Sequence, residues 1–383
     1  MYAEYNTVLT MPKKWSVKKS LANTYANFIE IIKEERLFLI IISFSFFLAG
    51  IAHPYAHIAM WVGFSYAAYS AIANDSIQTI GTFLASNSDR PWYILWLFIG
   101  GIFLVTVSYS WFTLDGDVSY ERLSTSALAE APSSFTFLQI AAPIFLLVLT
   151  RLRMPVSTTF LILSCFSADL NGILDMLTKS LGGYFVAFTV GILVWTVISR
   201  WISKNFVGEA KPYWTIIQWI TSGCLWSVWV MQDIANVAVY LPRSLSGYQF
   251  IAFAGFIFLG LGLIFYLRGD KIQQIVTEKS HVTDVRAATI IDFIYAVLLF
   301  FFKELSNIPM STTWVFIGLL AGRELAMSLM DQAGHGKPFK KSIKLIRRDV
   351  LYAGIGLLVS ILLAVSINPE INREVMELLG LGN

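Results

Sequence analysis

The sequence is poor in charge: Asp, Glu, Lys and Arg make up only 14% of its 383 residues, against about 25% in typical soluble domains. Its two cysteines, Cys165 and Cys224, lie in apolar surroundings without paired spacing and are expected to be buried, unreactive thiols. The net charge of +3 is too small to indicate a nucleic-acid partner. These shortages exclude an ordinary soluble protein and provide no sign of nucleic-acid binding.

Long apolar runs replace the missing charge. Hydrophobic residues make up 56% of the chain, and several runs approach the roughly 20 residues that a helix needs to cross a bilayer. The run that begins at Leu37 starts too late for an ordinary cleaved signal peptide, so we interpret it as a retained first helix. The sequence therefore predicts an all-α, multi-pass integral membrane protein in the lipid bilayer.

Two polar blocks each occur twice within these apolar runs. An amide-Asp pair appears as Asn74-Asp75 and again as Gln232-Asp233. A Pro-x-Ser-Thr-Thr block begins at Pro155 and again at Pro309. The blocks keep the same order and nearly the same spacing, which indicates a duplicated half rather than chance motifs.

The duplication predicts a domain organisation with a defined topology. Each copy contains an interrupted helix, a full span, a hairpin that turns at the proline and a further span. A hairpin adds no net crossing, so each copy crosses three times and the second copy enters from the opposite side, as an inverted repeat. The predicted segments are a basic N-terminal segment (1–35), an additional membrane helix (36–53), the first copy (54–205), the second copy (206–370) and a C-terminal tail (371–383).

The charge distribution agrees with this topology. With the basic N-terminus in the cytoplasm, the basic clusters fall in predicted cytoplasmic segments, and the acidic segment between residues 114 and 131 falls outside. This is the positive-inside bias of membrane proteins. We therefore expect a multi-pass protein of the cell (inner or plasma) membrane with a cytoplasmic N-terminus.

The two Asp blocks place carboxylates at membrane depth, where an Asp costs on the order of 2.5–3.5 kcal/mol and normally lines a pathway or has a partner. Carboxylate and amide oxygens suit Na⁺ or a proton, with Asp75 and Asp233 as the metal ligands. The alternative is that each Asp caps the second half of a broken helix. The candidate cation-binding residues are Asn74, Asp75, Gln78, Gln232, Asp233 and Asn236, with Thr82 as a weaker candidate on the helical stripe from Asp75.

The Pro-x-Ser-Thr-Thr blocks predict helix starts that bind an anion. Proline fits the first helical turn, and the following hydroxyls lie among free N–H groups at the positive end of the helix dipole. Such a helix start suits a tetrahedral oxyanion, although the hydroxyls could equally serve as helix caps. The candidate substrate-binding residues are Ser157, Thr158, Thr159, Ser311, Thr312 and Thr313.

Three further charged residues lie near the hairpins. Arg151 and Arg153 precede the first hairpin turn, where they are candidates for attracting an anion or for marking a tip that reaches cytoplasmic water. Asp292 lies in an apolar run, and we expect it to pair with Lys303 or Glu304.

Together these blocks resemble those of the inorganic phosphate transporter family, whose members are sodium- or proton-coupled symporters. That family carries a Gly-Ala-Asn-Asp-Val-Ala-Asn type block and a Pro-x-Ser-Thr-Thr block in each of two inverted halves. Ala73-Asn74-Asp75 with Gly81-Thr82, and Gln232-Asp233-Ile234-Ala235-Asn236, match the first type. Gln218 falls where the family has a Leu-Gln block, and the resemblance covers roughly residues 55–367.

The resemblance implies a homodimeric secondary transporter, not an enzyme, that works by an elevator-like or rocking change. It implies that the six Ser and Thr residues surround the anion, that Asn74, Asp75, Asp233 and Asn236 hold coupling Na⁺ or H⁺, and that no other cofactor is needed. Phe160 and Trp314 stand where the family commonly has His.

Three functions remain open at this point. The first is import of inorganic phosphate by cation-coupled symport, because moving a dianion alone into a low-dielectric site is prohibitive. The second is transport of sulfate or another small oxyanion on the same scaffold. The third is an intramembrane aspartyl protease with Asp75 and Asp233 as a shared-proton dyad, which leaves the two Pro-x-Ser-Thr-Thr hairpins unexplained.

Overall fold

The computed structural model describes residues 33, 35–125, 127–152, 154, 156–206, 208–267, 284–330 and 339–380, without the side chains of residues 76–78, 199–205 and 341. Within this part of the chain the regular structure is helical, as predicted. The α-helices are α1 (Arg36–Ala52), α2 (Ala56–Thr79), α3 (Gly81–Ser86), α4 (Trp92–Thr113), α5 (Phe137–Arg151), α6 (Leu170–Asn205), α7 (Tyr213–Asp233), α8 (Ala235–Ala238), α9 (Gly247–Tyr266), α10 (Val285–Leu305), α11 (Thr312–Met330), α12 (Phe339–Ile367) and α13 (Pro369–Leu378). Arg153 and Pro155 lie outside the described residues.

The chain forms two compact units, Met1–Leu48 and Ala49–Asn383. The described part of the first unit consists mainly of the beginning of α1, an apolar helix of 17 residues within the segment predicted as the additional membrane helix. The second unit holds both predicted copies, and the predicted C-terminal tail contains most of helix α13.

Among the described residues, six helices are long and apolar enough to cross a bilayer. They are Trp92–Thr113, Leu170–Ile198, Gly247–Tyr266, Val285–Leu305, Thr312–Met330 and Ser342–Ile367. Many large apolar side chains on these helices are exposed, as lipid-facing side chains must be. The prediction of an all-α, multi-pass membrane protein is confirmed.

Both predicted interrupted helices are broken near their Asp residues. Helix α2 ends at Thr79 and α3 starts at Gly81, with Ile80 between them. Helix α7 ends at Asp233 and α8 starts at Ala235. The breaks are buried, and backbone groups freed at such places are available to side chains and ions.

The two hairpins differ in length, which their shared motif did not indicate. In the first hairpin α5 has 15 residues, about 22 Å of helix against a hydrocarbon core of about 30 Å, and the return consists of a π-helical turn (Thr159–Leu163) and a 3₁₀ turn (Ser164–Phe166). In the second hairpin α10 has 21 residues and α11 has 19, so both are long enough to span. Comparing the described parts of the two hairpins, we find helices long enough to cross the membrane twice in the second and not in the first.

Helices α6 and α11 make the most extensive helix pairing, and glycines allow their close approach. A Cβ on Gly322 would lie 2.1 Å from the Phe188 carbonyl oxygen, and one on Gly318 would lie 2.4 Å from the Tyr184 carbonyl oxygen. Small residues four positions apart favour this kind of backbone contact in membranes, where apolar burial does not drive helices together. The contact holds α11, and with it the second Ser-Thr-Thr block, against α6.

Candidate functional site

The broken helices meet the hairpins through hydrogen bonds to backbone carbonyls. The Asn74 amide nitrogen donates to the Val156 carbonyl oxygen at 2.9 Å, and the Gln232 amide nitrogen donates to the Leu299 carbonyl oxygen at 2.8 Å. Asn74, Val156 and Gln232 belong to the predicted blocks, and Leu299 lies on α10. All four side chains are buried. The amide of each Asp block therefore fastens its broken helix to the hairpin of the same copy.

In the first copy, the Ser-Thr-Thr block binds the Asp block directly. Thr158 Oγ1 donates to Asp75 Oδ2 at 2.9 Å, and Asn74 Nδ2 donates to Asp75 Oδ1 at 2.8 Å. Thr150 Oγ1 on α5 donates to Asn74 Oδ1 at 3.1 Å and fixes the amide. Asp75 is fully buried, so each of its oxygens depends on such donors.

The second copy repeats the central contact. Thr312 Oγ1 donates to Asp233 Oδ2, and Asn236 Nδ2 donates to Asp233 Oδ1 at 3.2 Å. Thr158 and Thr312 occupy the same place in their blocks, as do Asp75 and Asp233. Among the described residues Asp233 has no ion-pair partner, although the structure buries it as deeply as Asp75.

One hydrogen-bond network joins the two copies. Asn236 Nδ2 lies 3.0 Å from Thr158 Oγ1 and 3.3 Å from Thr159 Oγ1, while it also contacts Asp233. The hydrogen bonds thus run without a gap from Asp75 through Thr158 and Asn236 to Asp233. The two carboxylates interact electrostatically. The structure brings the two Asp blocks and the two Ser-Thr-Thr blocks to one buried place.

The third residues of the Ser-Thr-Thr blocks cross between the copies in both directions. Thr159 Oγ1 donates to the Met310 carbonyl oxygen at 3.0 Å, and Thr313 Oγ1 donates to the Val156 carbonyl oxygen at 3.4 Å. Met310 and Val156 are themselves equivalent positions. A contact that is repeated with its partners exchanged is the mark of two-fold symmetry, here an approximate one within one chain.

The serines of the two blocks act as helix caps. Ser157 Oγ accepts from the Phe160 backbone N–H and Ser311 Oγ accepts from the Trp314 backbone N–H, each at 3.2 Å. This is the capping alternative that the sequence left open. An accepted N–H leaves the hydroxyl proton of each serine able to donate, so capping and anion binding are compatible.

Two buried amide oxygens at this place have no hydrogen-bond partner among the described residues: Gln232 Oε1 and Asn236 Oδ1. Both amides are oriented by their nitrogen atoms, which face a carbonyl oxygen or a carboxylate, so the open atoms are the oxygens. An open buried acceptor costs about 1–3 kcal/mol. Asn236 Oδ1 belongs to the amide that donates to Asp233, and open amide oxygens are hard ligands of the kind that a cation accepts.

Several candidate residues lie apart from this network. Thr82 donates to Asp292 Oδ1 at 2.7 Å, and Gln218 contacts Ser86 and accepts from Asn87 at 3.0 Å. Arg151 ends α5 and is half-buried. Arg153 and the side chain of Gln78 lie outside the described residues.

The expected pairing of Asp292 with Lys303 or Glu304 is wrong. Lys303 pairs with Glu304 at 2.8 Å, whereas Asp292 accepts from Thr82 and, at 2.5 Å, from Ser222. A helix turns through about 100° per residue, so residues 292 and 303 are about three turns apart. Asp292 instead faces α3 and α7, two elements that sequence spacing could not bring to it.

Together the broken helices, the paired hairpins and the approximate two-fold contacts define the fold of a membrane transporter with inverted repeats. A solved structure described as "The sodium-dependent phosphate transporter" matches this chain with a TM-score of 0.56 and 18% sequence identity, covering 85% of this chain and 99% of that one. The chain therefore has the fold of a phosphate transporter, as the resemblance implied. No protein-family model matches the chain, and no curated protein sequence matches it significantly.

Proposed function

We propose that this protein is a secondary active transporter that imports inorganic phosphate together with Na⁺, or H⁺ in its place, by alternating access. The observation that supports this most strongly is the continuous network from Asp75 through Thr158 and Asn236 to Asp233. It joins the residues that we propose as cation ligands and oxyanion donors at one buried place, where residues of both copies meet. Transporters of this architecture place their substrates at such contacts.

Charge balance explains why cation and anion bind together. A buried carboxylate costs several kcal/mol unless it is paired, and the network holds two carboxylates. An anion that enters alone would add to this negative charge. Cations at Asp75 and Asp233 remove the repulsion, so binding of each cation favours binding of the anion.

The residues divide the work in the proposed site. The coupling ions are held by Asp75 and Asp233 with amide oxygens of the Asn74, Gln232 and Asn236 side chains. The anion is held by the hydroxyls and helix starts of the two Ser-Thr-Thr blocks. Thr158 and Thr312, which donate to the carboxylates, connect the two functions. Their rotation from carboxylate to anion would follow arrival of a cation.

Sulfate is the second substrate candidate, because the hydroxyls and helix starts donate hydrogen bonds to any tetrahedral oxyanion. Phe160 and Trp314 are buried and pack ring to ring at 5.4 Å beside the two blocks. Since neither ring titrates or accepts a proton, this contact gives the site no direct means to distinguish phosphate from sulfate.

The proposal further places the N-terminus in the cytoplasm, the chain in the cell membrane and two copies in a homodimer.

Uptake into proteoliposomes tests this function. Labelled phosphate and labelled sulfate would be offered separately under an inward Na⁺ gradient, a proton gradient or neither. We expect phosphate accumulation that needs the Na⁺ gradient, and Asp233→Asn to abolish this dependence. Asp89→Asn, at an exposed position in a turn, is the control and should behave as the wild type. If neither anion moves under any gradient, the proposed function is wrong.

A further inference from the structure

Two arginines lie in the loops on the predicted external side of the membrane. Arg122 belongs to the segment between α4 and α5, and Arg243 lies between α8 and α9. Burial lowers the pKa of each guanidinium to about 10, so both remain charged at neutral pH. They differ in how their N–H groups are used.

Arg243 is satisfied by backbone carbonyls. Its Nε donates to the Leu128 carbonyl oxygen at 3.2 Å, and Nη2 donates to Leu128 and Glu130 at 2.9 and 2.7 Å. Nη1 donates to Val239 and Leu241 at 3.2 and 3.1 Å. All three nitrogens are engaged, so Arg243 fastens two loops together and has no donor edge left for a ligand.

Arg122 is fully buried and only one of its nitrogens is engaged. Nη1 donates to the Ser306 and Ile308 carbonyl oxygens at 3.0 and 3.2 Å. Nε and Nη2 have no hydrogen-bond partner within the part of the chain that the structure describes. These two atoms form the edge of the guanidinium that binds two oxygens of a carboxylate or phosphate group in parallel. A buried charge with this edge open is costly without a ligand.

A second cation converges on the same carbonyls. Lys179 Nζ, on α6, donates to the Ser306 and Ile308 carbonyl oxygens at 2.8 and 2.7 Å. Two basic side chains therefore share one pair of acceptors, and neither has an ion-pair partner among the described residues. The shared carbonyls belong to residues just before Pro309 and the second Ser-Thr-Thr block.

The Arg122 guanidinium also interacts electrostatically with Asp233 of the proposed site. The negative charges of Asp233 and Glu304 act on the guanidinium and oppose the fall of its pKa that burial causes. The open edge thus belongs to a residue that lies within electrostatic reach of the second Asp block. The carbonyls that hold Arg122 belong to Ser306 and Ile308, which precede Ser311 and Thr312 by only a few residues in the chain.

We propose that Arg122 binds the transported oxyanion through its Nε–Nη2 edge on the external approach to the site, with Lys179 adding attraction. This inference rests on the proposed function and deepens it, because it names the residue that selects an anion before the Ser and Thr hydroxyls receive it. Nη1 stays on the Ser306 and Ile308 carbonyls, so the guanidinium is held in place while its other edge takes two oxygens of phosphate or sulfate.

Kinetics of uptake with matched variants test the proposal. Phosphate uptake would be measured in proteoliposomes for the wild type, Arg122→Gln, Arg122→Lys and Arg243→Gln, at varied phosphate and at varied Na⁺. Arg122→Gln should raise the KM for phosphate at least about tenfold, the loss expected for a charge-assisted contact. Its half-saturating Na⁺ concentration at saturating phosphate should change less than about twofold, because the Na⁺ ligands remain. Arg122→Lys keeps the positive charge but lacks the two parallel N–H groups, so its KM for phosphate should lie between those of the wild type and Arg122→Gln.

Arg243→Gln serves as the matched control. It removes an equally charged loop arginine and should lower thermal stability while leaving the KM for phosphate unchanged. Protection of the purified protein from heating by phosphate gives a second readout, and Arg122→Gln should weaken it even if this variant transports poorly. A KM within about twofold of the wild type in Arg122→Gln, or an equal rise in Arg243→Gln, would show that Arg122 is a structural residue that does not bind the transported anion. A wild type that moves no anion would instead overturn the proposed function itself.

Discussion

The Thr159 hydroxyl lies 3.0 Å from the carbonyl oxygen of Met310, to which it donates a hydrogen bond. The two residues are 151 positions apart in sequence and belong to different copies of the duplicated half. The reverse contact, from Thr313 to Val156, is longer at 3.4 Å. The two reciprocal contacts are therefore unequal, and the shorter one is made by Thr159, whose hydroxyl also lies 3.5 Å from Asp233 Oδ1.

This difference predicts unequal effects of removing the two hydroxyls. Thr159→Val keeps the shape but leaves the Met310 carbonyl without its donor, so the free energy of unfolding should fall by about 1–3 kcal/mol. Thr313→Val should leave the Val156 carbonyl with a donor, because the Asn74 amide still donates to it at 2.9 Å, so we expect a smaller loss there. Unfolding by denaturant in detergent measures both, and a larger loss in Thr313→Val would contradict the prediction.

The close packing of α6 and α11 predicts that Gly322 cannot be enlarged. Gly322→Ala would place a Cβ 2.1 Å from the Phe188 carbonyl oxygen, a backbone atom that cannot move away without shifting the helix. The variant should lose about 1–3 kcal/mol of unfolding free energy. Gly101→Ala is the control, since nothing lies within 4 Å of its Cβ, and it should be neutral or stabilising by up to about 1 kcal/mol. Equal melting temperatures for both variants would refute the argument.

Asp284 predicts a pH-dependent contribution to stability at the start of α10. Its side chain accepts from the Arg286 backbone N–H at 2.8 Å, and the Arg286 guanidinium holds the pKa of this carboxyl below its usual range. A lowered folded-state pKa means that the contribution is present at neutral pH and is lost as pH falls through that pKa, below about 4.

The test compares the wild type with Asp284→Asn at two pH values. At pH 7 the variant should be less stable by about 1 kcal/mol, discounted for the partial exposure of the side chain. At the lowest pH that the protein tolerates, the difference should shrink. Glu304→Gln, in an exposed pair with Lys303, is the control and should show little effect at either pH. A difference that grows as pH falls would have the wrong sign.

Asp292 predicts that shape and acceptor oxygens matter more than charge at this position. Thr82 and Ser222 donate to its two oxygens within a fully buried place. Asp292→Asn keeps one acceptor and the volume, so its unfolding free energy should lie within about 1 kcal/mol of the wild type. Asp292→Leu leaves two buried hydroxyls without that acceptor and should cost about 2–4 kcal/mol. Denaturant unfolding distinguishes the two, and similar losses in both variants would show that the negative charge itself is required.

Sequence reasoning found most of the architecture because the relevant signals are local. A polar residue in an apolar run marks a break, so the interruptions beside Asp75 and Asp233 could be predicted, and Pro309 marked the turn of the second hairpin. It did not find the different hairpin lengths or the role of Gly318 and Gly322. Those features depend on how neighbouring helices approach each other, and the residues of a single segment indicate this approach only weakly.

The same limit explains Arg122, which carried no signal at all in the sequence. An arginine in an acidic external segment is usually a solvated surface residue. Arg122 becomes a candidate anion ligand only because the fold buries it, gives Nη1 two carbonyl partners and leaves Nε and Nη2 without partners among the described residues. No spacing rule connects residue 122 with residues 306 and 308.

The sequence alone determined that this chain is a duplicated, multi-pass helical membrane protein with carboxylates, amides and hydroxyls at membrane depth, because hydropathy, parity and repeated motifs are properties of the chain itself. The tertiary structure decided which donor meets which acceptor: Thr158 with Asp75, Asn236 with Thr158, and Thr82 with Asp292. These bonds join residues 78 to 210 positions apart, and only the packing of whole helices brings such groups within 3 Å. The sequence shows which polar groups lie within apolar runs, and the folded structure shows their hydrogen-bond partners. Such partners are needed because a buried polar group without a hydrogen bond is costly.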